Sequence, residues 1–269
     1  MDIVPIFLLL VLGACTGLLA GLLGIGGGMV MVPFMTVYLD YKGFGPDSII
    51  KVAIATSLAS ILFTSVSNVR AQQQRGAVRW DLVRTMSPGI VIGSLIGSQF
   101  ASSLPAGWLA LVFSLFIAIM STRMLRQKKP SADRTLPGPA GLFSAGALIG
   151  GASSVVGAGG AFITTPFLVR RNVPIHVAVG TSAAFGFPIA VAGTIGYAYA
   201  GWSAHLQGSM IGYIYLPGLV FVSIASMFTA PIGVRIAHAT SSAGLKRFFG
   251  LMLYALAGYM LWRAWHFGL

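Results

Sequence analysis

Two short glycine-rich stretches hold the most distinctive chemistry in this sequence. The first reads GLLGIGGGMVMVPFM over residues 21–35 and the second SVVGAGGAFITTPFL over residues 154–168. One fixed shift lays Gly24, Gly26, Gly27, Pro33 and Phe34 on Gly157, Gly159, Gly160, Pro166 and Phe167. The same shift lays Gly13 and Gly17 on Gly146 and Gly150. Glycine clusters break helices. Where a helix restarts, its first N–H groups have no intrahelical acceptor and sit at the positive end of the helix dipole. Glycine also lets a ligand approach that backbone closely, so such a break is an anion cradle that needs no charged side chain. The residues assigned to the two cradles are Gly24, Gly26, Gly27, Gly28 and Met29, and Gly157, Gly159, Gly160, Ala161 and Phe162. The competing reading is a pair of packing kinks. Duplication, depth within uncharged runs and the following Pro33 and Pro166 favour the cradles. Gly28 aligns with Ala161, so the two are not equivalent.

Polar side chains add a second layer. Thr56-Ser57 and Thr181-Ser182 form a matched pair whose hydroxyls can donate to a substrate oxygen or bond back to carbonyls one turn earlier. Asn68 and Gln99 are amides in or near apolar segments and must find partners; helix–helix bonding is the plainer role for both. Arg70, at the edge of a polar loop, can gather anions or simply mark topology. The four histidines are scattered without metal-ligand spacing, and Cys15 is the only cysteine, so no metal site, cofactor or intrachain disulfide is expected. No Walker A sequence is present, and no nucleophile–base pair points to an enzyme. The glycine stretch follows an apolar helix and lacks the third glycine and downstream acid of a dinucleotide site.

These groups must be positioned by helices in a membrane. Of 269 residues, 56% are hydrophobic and 8% charged, and the mean hydropathy is +0.86, against about 25% charged residues in soluble domains. The net charge of +12 sits in loops between apolar runs. There it reads as cytoplasmic retention rather than nucleic-acid binding. No charge occurs between Asp2 and Asp40. As one helix that run would reach about 55 Å, well beyond a ~30 Å bilayer core, so it must break. Gly13, Gly17 and Gly21 give its first part a small-residue face for close packing. Residues 29–39 are too short to span. Further spans are expected over 52–69, on both sides of a 102–107 turn, and over 177–198, 209–234 and 248–262. No acid or base falls inside any expected span. The N-terminus lacks the features of a cleaved signal peptide.

The halves correspond beyond the glycines. Val52-Ala53 matches Val177-Ala178, Pro88-Gly89 matches Pro217-Gly218, and Ser94 and Gly107 match Ser223 and Gly244. The loop after the first Thr-Ser helix is basic (residues 70–84) and the next is neutral; in the second half the order reverses. Because basic loops stay in the cytoplasm, the halves are expected in opposite orientations. The expected fold is an all-α polytopic membrane protein of two inverted-topology repeats, each a glycine-broken helix pair plus three spanning helices. Repeat one covers residues 1–126, a basic cytoplasmic linker 127–137, and repeat two 138–269. Both termini are then outside a bacterial-type inner membrane.

With these residues in hand, the chain resembles the sulfite exporter TauE/SafE family. The resemblance rests on the two glycine stretches with their prolines, the two Thr-Ser pairs, and the Pro-Gly openings at Pro88 and Pro217. It implies transport of small sulfur-containing anions such as sulfite, sulfoacetate or other organosulfonates by alternating access. Gly24–Met29, Gly157–Phe162 and the Thr-Ser hydroxyls would form the site, with the lipid bilayer as the other partner. A passive anion channel and a non-transporting membrane scaffold or sensor stay open at this point, as does self-association.

Overall fold

The computed structural model describes residues 3–23, 28–126, 135–204, 206, 208–239 and 242–267. Gly24, Gly26 and Gly27 lie outside the described residues, as does most of the basic linker. In the first half the helices are α1 (Ile3–Leu23), α2 (Gly28–Tyr41), α3 (Pro46–Gln74), α4 (Trp80–Ser103) and α5 (Ala106–Arg126). In the second they are α6 (Pro139–Val156), α7 (Ala161–Val169), α8 (Ile175–Ala200), α9 (Leu216–Ala239) and α10 (Ser242–His266). The fold is an all-α polytopic membrane protein. Among the described residues α1, α3, α5, α6, α8 and α9 are long and apolar enough to cross a membrane. Helix α2 has 14 residues and α7 has 9; at 1.5 Å per residue both fall short of a ~30 Å hydrocarbon core.

One expected span is shorter than its hydropathy suggests. The run from residue 209 begins with a small antiparallel hairpin, Met210–Ile211 against Ile214–Tyr215, and the helix starts only at Leu216. Gly212, at φ 57°, makes the turn, and its backbone lies directly against Ala198 of α8.

The principal interfaces cross between the halves. Helix α1 packs on α9, α6 on α4, α3 on α8 and α5 on α10. Small residues make the first two possible. A Cβ on Gly13 would sit 2.7 Å from the Val222 backbone, and one on Gly17 would overlap the Ser226 backbone. In the other crossing Gly89, Gly93 and Gly97 meet the α6 backbone, and Gly146 and Gly150 meet α4. The small-residue face expected on α1 is therefore a helix-packing face.

Helices α3 and α8 run antiparallel. Ala77, just beyond the end of α3, lies against Gly180 near the start of α8. At the other end, the Tyr213 N–H bonds Tyr197 O of α8 and the Tyr215 N–H bonds Thr56 near the start of α3.

Arg263 stands one residue past the expected 248–262 span, yet it is buried. Arg263 lies within α10 with only 7% of its surface exposed. Its guanidinium pairs with Asp40 at the end of α2 (2.6 Å) and its Nε–H donates to Tyr259 Oη (2.9 Å). The ring of Phe267 lies 5.1 Å away. The carboxylate and the aromatic faces supply what water would, which makes a cation tolerable in that position.

Candidate functional site

The two glycine stretches meet. Gly28, the first residue of α2, lies so close to Gly157 that a Cβ on Gly28 would overlap the Gly157 carbonyl oxygen. Ser57 of α3 stands over this contact. Its single hydroxyl proton is shared between Gly157 O (3.2 Å) and Gly28 O (3.3 Å). Both distances exceed the 2.7–2.8 Å of a good O–H···O bond. Ser57 therefore ties the two halves at their breaks through two long hydrogen bonds.

The second break is built by left-handed glycines. Gly157 caps α6 at φ 67° and Gly160 opens α7 at φ 76°. This four-residue reversal leaves consecutive N–H groups without acceptors. Ala158 N–H bonds Ser153 O, and the next backbone donors with partners are Ile163 and Thr164, both to Gly160 O. Among the described residues, the N–H groups of Gly159, Gly160, Ala161 and Phe162 find no acceptor. Gly159, Gly160 and Ala161 are buried and Phe162 is half-buried. Ser153 Oγ, fully buried and itself without a partner, lies 3.2 Å from where a Gly160 Cβ would sit. Buried N–H groups are almost always paired, so this cluster is a place where an acceptor belongs. Ile149 and Ile189 pack against Gly160 and close the seat in this conformation.

On the other side of Ser57 a small chamber of about 20 Å³ lies between α1, α2, α3 and α9. That is room for about one water molecule and far too little for an oxyanion. Carbon atoms form most of its wall, with hydroxyl groups of Thr16, Ser57, Ser60, Thr64 and Ser226 among them. None of the residues lining it is titratable. Ser57, Ser60 and Thr64 follow the three- and four-residue spacing of one helical face, a stripe readable in the sequence and overlooked there. In the second half the equivalent positions of Thr16, Ser60 and Thr64 are Ile149, Phe185 and Ile189, all buried. The first half thus offers hydroxyls where the second is filled with hydrocarbon.

The Thr-Ser pairs divide their work. Thr56 Oγ1 accepts the Tyr215 N–H at the entry to α9 (3.0 Å), and Thr181 Oγ1 accepts the Arg79 N–H at the entry to α4 (3.1 Å). Each threonine pins the fourth helix of the other half, a role that sequence reasoning missed because the partners are backbone atoms in loops. Ser182 accepts from Thr165 of α7 (3.0 Å). Replacing Thr56 with valine leaves the N–H of the buried Tyr215 unpaired, at about 1–3 kcal/mol. Thr181→Val will cost less, because the Arg79 backbone is only partly buried. Thermal unfolding in detergent will show the larger drop for Thr56→Val; equal drops would contradict this assignment.

Other sequence candidates lie away from the contact. Gln99 donates to Gly196 O (2.8 Å) and joins α4 to α8. Asn68 is half-buried and Arg70 exposed, both more than ten residues beyond Ser57 on α3 and so roughly 16 Å or more along the helix. Met29 is buried beside Gly28.

A sequence with this pairing of broken helices has recognisable relatives. Residues 9–260 match the family described as sulfite exporter TauE/SafE. The chain belongs to that family. It is 32% identical to a probable membrane transporter protein of Haemophilus influenzae over 94% of this chain and 96% of the relative. A probable membrane transporter protein of Methanocaldococcus jannaschii is 27% identical over 94% and 92%, and YdhB of Bacillus subtilis, also a probable membrane transporter protein, 25% over 91% and 95%. No solved structure matches. As a TauE/SafE member with six apolar helices long enough to span among the described residues, the protein is an integral membrane transporter.

Proposed function

We propose that the protein is a secondary transporter of small oxyanions, with sulfite or an organosulfonate such as sulfoacetate as the substrate. The observation that carries this reading is the row of unpaired N–H groups from Gly159 to Phe162, with the unpartnered Ser153 hydroxyl beside it. Preorganised N–H donors at a helix start bind an anionic oxygen without a charged side chain. The family's description as sulfite exporters supports the substrate class. Sulfate, phosphate and carboxylates share the oxygen chemistry, so the choice among them is made by experiment.

Alternating access follows from the closed state of the seat. An oxyanion fits only if α8, which carries Ile189, moves away from α6 and α7. The reciprocal packing of α1 on α9 and α6 on α4, and the antiparallel α3 and α8, support two inverted repeats. They also define the moving parts. Because each half's first helix is packed on the other half's fourth, the sequence halves do not separate as blocks. The units that rock are α1 with α9 and α4 with α6, about the α3–α8 pair. The bases around the α3–α4 connection, which is shorter than the 70–84 loop expected because α3 runs to Gln74 and α4 begins at Trp80, together with those of the linker, support a cytoplasmic position for that end of the molecule in a bacterial-type inner membrane, with both termini outside.

The direct test is flux into proteoliposomes containing the purified protein, screened over sulfite, thiosulfate, sulfate and short sulfonates, with and without proton and sodium gradients. Saturable flux of a sulfur oxyanion at carrier-type rates is expected. Single-channel currents would replace the carrier with a channel, and the absence of flux for every anion would overturn the reading.

A further inference from the structure

We infer that Tyr38 and Tyr215 form the outer gate of this transporter, and that the Asp40–Arg263 pair positions the helix against which the gate closes. The two tyrosines come from different halves. Tyr38 lies near the end of α2 and Tyr215 immediately before α9. Their hydroxyls approach to 3.4 Å and their rings to 6.1 Å, and the Phe44 ring meets Tyr215 edge-on at 5.7 Å. Beneath them Met35 is fully buried, with its Cε against Gly218 of α9. At 1.5 Å per residue, Tyr38 lies about 15 Å along α2 from the contact of the two breaks at Gly28.

A gate must hold and then yield. An O–H···O bond is best at 2.7–2.8 Å, so the hydroxyl contact at 3.4 Å is weak and breaks at small cost. It also joins parts that move relative to each other. Tyr215 leads directly into α9, which rocks with α1, whereas α2 is held elsewhere. Asp40, two residues past Tyr38, pairs with Arg263 of α10, and α10 packs on α5, outside both rocking units. Parting that pair would leave a buried guanidinium without its carboxylate, so it stays closed through the cycle and fixes α2 as the post of the gate.

The other end of the molecule shows what is special here. The shift that lays Pro33 on Pro166 also lays Met35 on Leu168, Tyr38 on Arg171 and Asp40 on Val173, and the one that lays Gly107 on Gly244 lays Arg126 on Arg263. Arg79 takes the place of Tyr215: each directly precedes the fourth helix of its half and gives its N–H to the threonine of the other half's Thr-Ser pair. Arginine has donors but no acceptor, so Arg79 and Arg171 cannot bond each other as the tyrosines do. Arg79 binds Asp81, and Arg171 binds Phe167 O of its own helix. Val173 offers no charge to Arg126, which is exposed. The outer end is thus latched by contacts that the inner end cannot make, and the state shut to the outside is favoured at rest. The gate rests on the alternating-access reading, not on the identity of the anion.

The test uses single cysteines in the full-length protein in nanodiscs, which open both faces to reagent, with Cys15 replaced by alanine because it is exposed. Met35→Cys reports the outer end and Leu168→Cys, also at a fully buried position, the inner. The probe is a quaternary-ammonium methanethiosulfonate, whose fixed charge keeps it in water. Labelling at Leu168→Cys is expected to be faster than at Met35→Cys. Tyr38→Phe, a change of one hydroxyl, is expected to speed labelling of Met35→Cys about fivefold, the scale of one hydrogen bond at ~1 kcal/mol, without speeding that of Leu168→Cys. Asp40→Asn is expected to act in the same direction, and Asp40→Glu to restore the starting rates. Unchanged rates would overturn the gate, and so would faster labelling at both positions, the mark of a loosened fold. A faster outer label with no anion flux would keep the gate and discard the oxyanion reading; anion flux with unchanged labelling would do the reverse.

Discussion

Gly160→Val is expected to abolish anion flux in proteoliposomes while the protein still inserts and purifies as a monodisperse species. Two effects combine at this position. Gly160 sits at φ 76°, where a residue with a Cβ costs roughly 1–2 kcal/mol, and a β-branched one more. The added carbon would also overlap Ile189 Cδ1 and come within 3.2 Å of Ser153 Oγ. Ile189 has a flexible side-chain end that can yield, so the fold survives. What cannot survive is the alignment of the N–H groups of Gly159 to Phe162, since they depend on the left-handed turn. Gly258→Ala is the control: space around Gly258 is open, and alanine in mid-helix gains roughly 0.5–1 kcal/mol. Normal flux by well-folded Gly160→Val protein would remove the α7 N-terminus from the substrate path.

Gly93→Val should have an effect of a different kind, namely loss of the folded protein itself. Gly93 lies at the centre of the α4–α6 crossing, and its Cβ would fall on the Ala147 carbonyl and close to Ala147 Cα at 2.8 Å. These are backbone atoms of a helix, so relief requires moving the whole of α6. Overpacking costs typically about 1–3 kcal/mol where side chains can adjust; here both helices must separate, and the same displacement undoes the neighbouring contacts of Gly89, Gly97, Gly146 and Gly150. The measurement is the monodisperse fraction after detergent extraction, with thermal unfolding of whatever remains. Wild-type yield and melting for Gly93→Val would mean that this crossing is not structural. The contrast with Gly160→Val, which spares the fold, separates packing glycines from the glycines of the break.

That contrast also shows how far the sequence could be read. The duplicated glycines, the short segments after each break and the small-residue face of α1 follow from residue type and spacing, because glycine acts through backbone geometry that any chain must obey. The partners were harder to see. Thr56 and Thr181 bond N–H groups of Tyr215 and Arg79, and a backbone N–H has no signature in a sequence. Arg263 stands near the end of an apolar run and looks like a topology signal; its burial depends on Asp40, more than two hundred positions earlier. The hairpin at 210–215 was hidden because Ile and Tyr are as apolar in a strand as in a helix, and hydropathy does not separate the two. The hydroxyl stripe of Ser57, Ser60 and Thr64 was visible in principle. Its difference from Phe185 and Ile189 in the second half becomes informative only once the chamber is known.

The exchange of first helices between the halves bears on how the chain is made. Helix α1 is synthesised before α9, yet among the described residues α9 is what covers the face bearing Gly13 and Gly17, roughly 200 residues later. At about 5–20 residues per second of synthesis, that face is exposed to lipid for roughly 10–40 seconds. During this time α1 has only its smaller contact with α2, whereas α6 finds α4 already in place. The N-terminal half made alone would leave the glycine face of its first helix uncovered, so this packing is completed only once the second half has been made.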